Sequence, residues 1–97
     1  MQDEIQELGA QYDAEYFEHG LGAPYRRGDG GWEAFFGRVA DFIVNEFAPR
    51  TVLDAGCAIG FLVEALRDRA VDARGFDISD YAISQVPDQL RPYCELG

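Results

Sequence analysis

The sequence contains no lysine, one histidine, two cysteines and two serines among its 97 residues. All eight of its basic residues are arginine. Without lysine there is no Schiff-base chemistry and no phosphate-gripping lysine of a P-loop. His19 alone cannot build a metal cluster, and with Ser79 and Ser84 as the only serines a Ser-His-Asp hydrolytic arrangement has no support. Cys57 and Cys94 are too few and too scattered for a disulfide framework or a zinc site, a usage that fits a reducing cytoplasm. No apolar run is long enough to span a bilayer and no basic-then-apolar leader is present, so nothing indicates a membrane or secretion.

Positive charge is scarce as well. The formal net charge is -10, and Asp3, Glu4, Glu7, Asp13, Glu15 and Glu18 all precede the first arginine, Arg26. Such a surface repels phosphate backbones and anionic membranes. No basic stripe with interleaved aromatics appears, so direct nucleic-acid binding by this segment is not expected. The acidic cluster itself reads as a solvated helix face.

What the chain does have is periodic apolar sequence in one domain's length. From Asp3 to about His19 the residues Ile5, Leu8, Tyr12 and Tyr16 recur at three- and four-residue steps, which predicts one helix ending at Gly20. Gly28, Asp29, Gly30 and Gly31 read as a loop able to fold over something or to move. A stronger helix is expected from Trp32 to about Phe47, with Trp32, Phe36, Val39, Ile43 and Phe47 on one face and Pro49 marking its end. Trp32, Phe35, Phe36 and Phe42 read as helix-core residues rather than a stacking platform.

The most informative stretch is TVLDAGCAIGF, Thr51 to Phe61, followed by RGFDIS at Arg74 to Ser79. Val52 and Leu53 supply a β-favouring strand, and Asp54, Gly56 and Gly60 then allow a tight turn. Phe61 to Asp68 continues at helical spacing, and Ala73 to Ile78 forms a second strand with an acid, Asp77, at its end. Ser79 offers an N-cap to a short helix in which Tyr81, Ile83 and Val86 can face the sheet before Pro87, and Pro92 to Gly97 reads as a third strand. A ligand over such a loop would meet free backbone N–H groups, while the carboxylate on the neighbouring strand accepts its ribose hydroxyls. That arrangement suits a nucleoside.

These residues resemble the S-adenosylmethionine site of class I methyltransferases, whose first motif is D/E-x-G-x-G-x-G and whose second strand ends in an acid. Asp54 is the first acid, Gly56 and Gly60 are the outer glycines, and Ala58 stands where the family most often has its middle glycine. The dinucleotide fingerprint G-x-G-x-x-G would need a glycine where Phe61 stands. The resemblance implies S-adenosylmethionine as cofactor and a small-molecule methyl acceptor. It implies that Gly56, Cys57, Ala58 and Gly60 line the cofactor with backbone, and that Asp77 takes the ribose. Asp54 either lies near the methionine amine or orders the loop; Ile78 either packs on adenine or belongs to the core. Tyr25 and one of Arg26 and Arg27 are candidates for the methionine carboxylate, with a solvated loop cation as the alternative for each arginine.

The expected fold class is α/β: a Rossmann-like parallel sheet of three strands in the order 3-2-1, preceded by N-terminal helices over residues 1–49, with the cofactor-binding half-domain at 50–97. By resemblance this is the N-terminal half of a seven-stranded methyltransferase domain, inactive alone. The first strand would then form an exposed edge open to self-association or to a complementary half.

Overall fold

The computed structural model describes residues 2–28 and 31–97, so Asp29 and Gly30 of the glycine-rich loop lie outside the described residues. Helices α1 (Gln2–Ala10), α2 (Ala14–His19) and α3 (Trp32–Phe47) come first. There follow β1 (Thr51–Ala55), α4 (Phe61–Arg67), β2 (Asp72–Asp77), α5 (Asp80–Ser84), a 3-10 segment (Asp88–Tyr93) and β3 (Cys94–Leu96).

The three strands form one parallel sheet with β2 in the centre. Its order, β1-β2-β3, is the expected 3-2-1 seen from the opposite edge. Thr51 pairs with Asp72 and Ala55 with Phe76, while Gly75 pairs with Cys94. One face of the sheet is covered. There Ala73 and Cys94 join Val63, Leu66, Val71, Val86 and Leu90 in the main core, with Val52 packed against it. Gly75 lets α4 come close: a Cβ there would lie 2.5 Å from Cys57 Cβ and 3.0 Å from Val63 Cγ2. Leu53, on the other face, is 67% exposed.

Helix α3 packs on α4 and brings Ala40, Ile43 and Val44 to the core. Its bounds are those the periodicity predicts, but Phe47 is 70% exposed and Phe42 is also exposed, so the apolar stripe is wider than the face that is covered. Ala48 closes the helix in the left-handed conformation, its N–H donating to the Val44 carbonyl, just before Pro49.

The single helix expected from Asp3 to His19 is two helices. Local capping decides this: the Asp13 carboxylate accepts the Tyr16 amide at 3.1 Å and starts α2 afresh, while Gln11 and Tyr12 close α1 with bonds to Leu8 and Gly9. The third strand is also shorter than Pro92 to Gly97, because Pro92 and Tyr93 complete the 3-10 segment. No described helix is long and apolar enough to cross a membrane.

Candidate functional site

At the carboxyl ends of β1 and β2 the chain makes two turns that are tied together. Gly56 and Gly60 adopt φ of 81° and 89°, a region open to glycine at little cost, and between them Ala58 holds φ 51°. The Asp77 carboxylate bridges the turns: Oδ2 accepts the Ala58 amide at 2.8 Å and Oδ1 accepts the Ser79 amide at 2.8 Å. Each oxygen keeps a further lone pair, so the carboxylate is oriented and still able to accept from a ligand.

The loop amides differ from the sequence-based expectation. Gly56 and Cys57 both donate to the Phe76 carbonyl, at 2.8 and 2.9 Å, and Gly60 donates to Cys57 at 3.0 Å. With Ala58 bound to Asp77, the expected free N–H groups at these positions are spent inside the loop. The loop therefore offers a ligand its shape and the Asp77 carboxylate.

A cavity of about 540 Å³ opens over this point. Its floor is Gly56, Ala58, Phe76, Asp77 and Ile78, and its wall is Tyr12, Tyr16, Phe17, Leu21, Tyr25 and Trp32 from the N-terminal segment. The wall rings contact one another edge-on: Tyr12 with Tyr16 at 5.0 Å between centroids, Tyr16 with Phe17 at 5.0 Å, and Tyr25 with Trp32 at 4.7 Å. Phe17 and Phe61 sit in a second apolar cluster with Ile59 and Ala82, which fastens this wall to the sheet side of the molecule. The Trp32 indole N–H donates to the Pro24 carbonyl at 2.8 Å, fixing the wall's far end.

Of the candidate residues, Gly56, Ala58, Asp77, Ile78 and Tyr25 line this cavity. Asp54, near the end of β1, is half-buried, and burial, with the neighbouring Asp77 charge after it, holds its carboxyl above the usual range. Burial, with Asp54 and Asp77 nearby, pushes the Tyr25 phenol up to about 12, so it stays protonated at neutral pH. Cys57 is buried. Its hydrogen bond with Cys94 and its burial push the thiol up, which argues against a nucleophilic role. Gly60 lies behind the loop, where an added Cβ would be 3.4 Å from Cys94 Sγ.

Arg27 faces a smaller cavity of about 240 Å³, shared with Tyr25, Arg26, Ile59, Tyr81 and Gln85. Its Nη1 donates to the Ile59 carbonyl at 2.9 Å, its guanidinium lies 4.8 Å from the Phe61 ring centroid, and its Nε is 3.5 Å from Glu64 Oε1. Among the described residues, neither Nε nor Nη2, both buried, has a hydrogen-bond partner. Arg26 reaches Glu18 at 3.4 Å.

The residues that sequence reasoning missed are Tyr12, Tyr16, Phe17, Leu21 and Trp32. Tyr12, Tyr16 and Trp32 were legible only as positions on helix faces, because their spacing fits a helix stripe equally well; the density of aromatics between Tyr12 and Trp32 was the one available signal. Among the described residues, no group of three or more His, Cys, Asp or Glu side chains is placed to hold a metal.

No family model and no curated protein matches this sequence. Among solved structures the chain is similar to the plantazolicin methyltransferase BpumL in complex with SAH, with a TM-score of 0.52 and 20% identity. The similarity covers 99% of this chain and 42% of that one, so the chain spans less than half the length of that structure. At this identity the match shows the fold alone: a parallel three-stranded α/β unit like the matched part of that structure.

Proposed function

We propose that this chain is the cofactor-binding portion of an S-adenosylmethionine-dependent methyltransferase acting on a small-molecule acceptor. One observation carries the reading: the Asp77 carboxylate, held by the Ala58 and Ser79 amides, stands in the floor of a nucleoside-sized cavity with aromatic walls. A carboxylate with free lone pairs at the end of the second strand can accept from two vicinal hydroxyls, and Ile78 beside it offers an apolar surface to a base. The cavity, its accepting carboxylate and its apolar surface fit an adenosine.

S-adenosylmethionine would supply a methyl group already activated on a sulfonium sulfur. The chain's own part is positional. Asp77 would orient the ribose, Gly56 and Ala58 would admit the cofactor close to the loop, and the aromatic wall would exclude water. The buried, unpartnered Nη2 of Arg27 supports a role for that guanidinium toward a carboxylate, with Tyr25 between the two cavities. Asp54 would either lie near the methionine amine or order the loop, and among the described residues none is assigned as a base for the acceptor.

Calorimetric titration with S-adenosylhomocysteine tests the reading, with Asp77→Ala alongside and NAD as the competing ligand. Saturable binding that is lost in the variant and indifferent to NAD is the expected result. A response to NAD and none to S-adenosylhomocysteine would overturn it.

A second reading is favoured by the β1 edge. Backbone bonds to β2 use the Arg50 carbonyl and the Gly56 amide, so the parallel ladder turns the Thr51, Leu53 and Ala55 amides and carbonyls outward. On this reading the chain is a nucleoside-binding or assembly half that pairs along β1 with a complementary half or a second copy. A stable monomer by light scattering, with no binding of an apolar dye, would count against it.

A further inference from the structure

The aromatic wall belongs to the N-terminal segment, and what holds α1 against α5 and the turn before it is slight. Among the residues of α1 whose burial is described, Gly9 alone is buried, and Leu8 is 51% exposed. Gly9 lies against the Ile78 backbone: a Cβ added there would overlap the Ile78 carbonyl oxygen and sit 3.0 Å from its carbon. One turn on, the Tyr12 carbonyl accepts a short hydrogen bond from the Ser79 hydroxyl, a side chain with 0% exposure. These two contacts fall on Ile78 and Ser79, the residues directly after Asp77.

We propose that Gly9 and Ser79 are positioning residues for the cofactor site: docking of α1 on the Ile78 carbonyl assembles the cavity, so α1 docking and nucleoside binding are one coupled equilibrium. This rests on the nucleoside reading above. The coupling follows from placement. Undocking α1 draws Tyr12 away from the cavity it lines and frees the Ile78 segment that forms the floor. A ligand that requires the assembled cavity binds only the docked fraction, and its apparent affinity falls with that fraction. Reciprocally, the bound ligand holds α1 down.

Gly9 separates this from ordinary helix stability. Alanine is the better helix former, so Gly9→Ala strengthens α1 as a helix while driving it off the Ile78 carbonyl. Gly37 supplies the control, because a Cβ there meets only Arg69 Nη2 at 3.5 Å, an ordinary contact, and Gly37 does not line the cavity.

The experiment is hydrogen exchange and calorimetry on the wild-type chain, Gly9→Ala, Gly37→Ala and Ser79→Ala, each with and without S-adenosylhomocysteine. The expected result is that the ligand slows exchange of the α1 amides in the wild type, and that Gly9→Ala weakens binding by about tenfold or more. Its unliganded α1 amides should exchange faster while those of β2 and α4 do not change, with Ser79→Ala moving in the same direction and Gly37→Ala binding as the wild type does. Wild-type binding with unchanged α1 exchange, or equal affinity in Gly9→Ala, would overturn the proposal and leave the nucleoside reading standing. A wild type that binds no nucleoside would overturn both.

Discussion

The Asp77 carboxylate and the Ala58 amide meet at 2.8 Å across the gap between two turns. Ala58 has the φ of 51° that places its N–H there, and the other carboxylate oxygen takes the Ser79 amide. The residue proposed to bind the ribose is therefore also the residue that ties the glycine loop to the start of α5. Binding and loop order share one side chain.

Asp77→Ala should consequently cost stability as well as ligand. Losing a charged acceptor from two backbone donors is expected to lower the unfolding free energy by about 2–3 kcal/mol, read by urea titration. Asp77→Asn keeps one acceptor oxygen and should recover part of the stability without recovering ligand affinity. Equal stability of Asp77→Ala and the wild type would show that the two hydrogen bonds carry no net weight.

Ala70, in the turn after α4, holds φ 64°. A left-handed conformation burdens an L-residue by roughly 1–2 kcal/mol, against which glycine adds chain entropy to the unfolded state. Ala70→Gly should stabilise the chain by about 0.5–1 kcal/mol, visible as a raised urea midpoint. An unchanged or lowered midpoint would show that the turn is not strained.

Gly37 makes the opposite case inside α3. With only the Arg69 guanidinium tip at 3.5 Å from an added Cβ, Gly37→Ala should raise stability by about 0.5–1 kcal/mol through helix propensity alone. A loss of stability in the same urea titration would mean that α3 and α4 pack more closely at this point than the Cβ position implies.

Tyr25 sets an alkaline limit. Its phenol is raised from 10.0 to about 12, so the folded state keeps a proton that the unfolded chain releases. The associated stability is whole below pH 10 and is lost as pH rises toward 12. Urea midpoints measured across that range should fall in the wild type and fall less in Tyr25→Phe.

Asp54 acts at the acid end. Its carboxyl is raised, chiefly by burial, so the folded state binds its proton more tightly than the unfolded chain does. Its contribution favours folding below the ordinary carboxylate value and is lost as pH rises through the raised one, leaving a burdened carboxylate at neutral pH. Asp54→Asn is expected to be more stable than the wild type at pH 7 and to lose that advantage in acid. A stability difference independent of pH would sink this account.

From Thr51 to Ser79 the order of strand, glycine turn, helix, acid-ended strand and helix cap is legible in the residues alone. Each of those steps is local: β-favouring residues, glycines at φ of 81° and 89°, helical spacing after Phe61, and a serine that caps α5 through the Ala82 amide at 3.0 Å. The break between α1 and α2 was local too, but the Asp13 cap was hidden under an apolar period that runs through both helices. Packing settled which loop amides are spent on Phe76 and Asp77, that Arg27 sits beside Ile59 and Glu64, and that Tyr12, Tyr16 and Trp32 line a cavity. Those depend on contacts between residues far apart in the chain, such as Gly9 on Ile78 and Phe36 stacked on Phe61 at 5.7 Å. A helical period names the apolar face; what that face meets is set by packing.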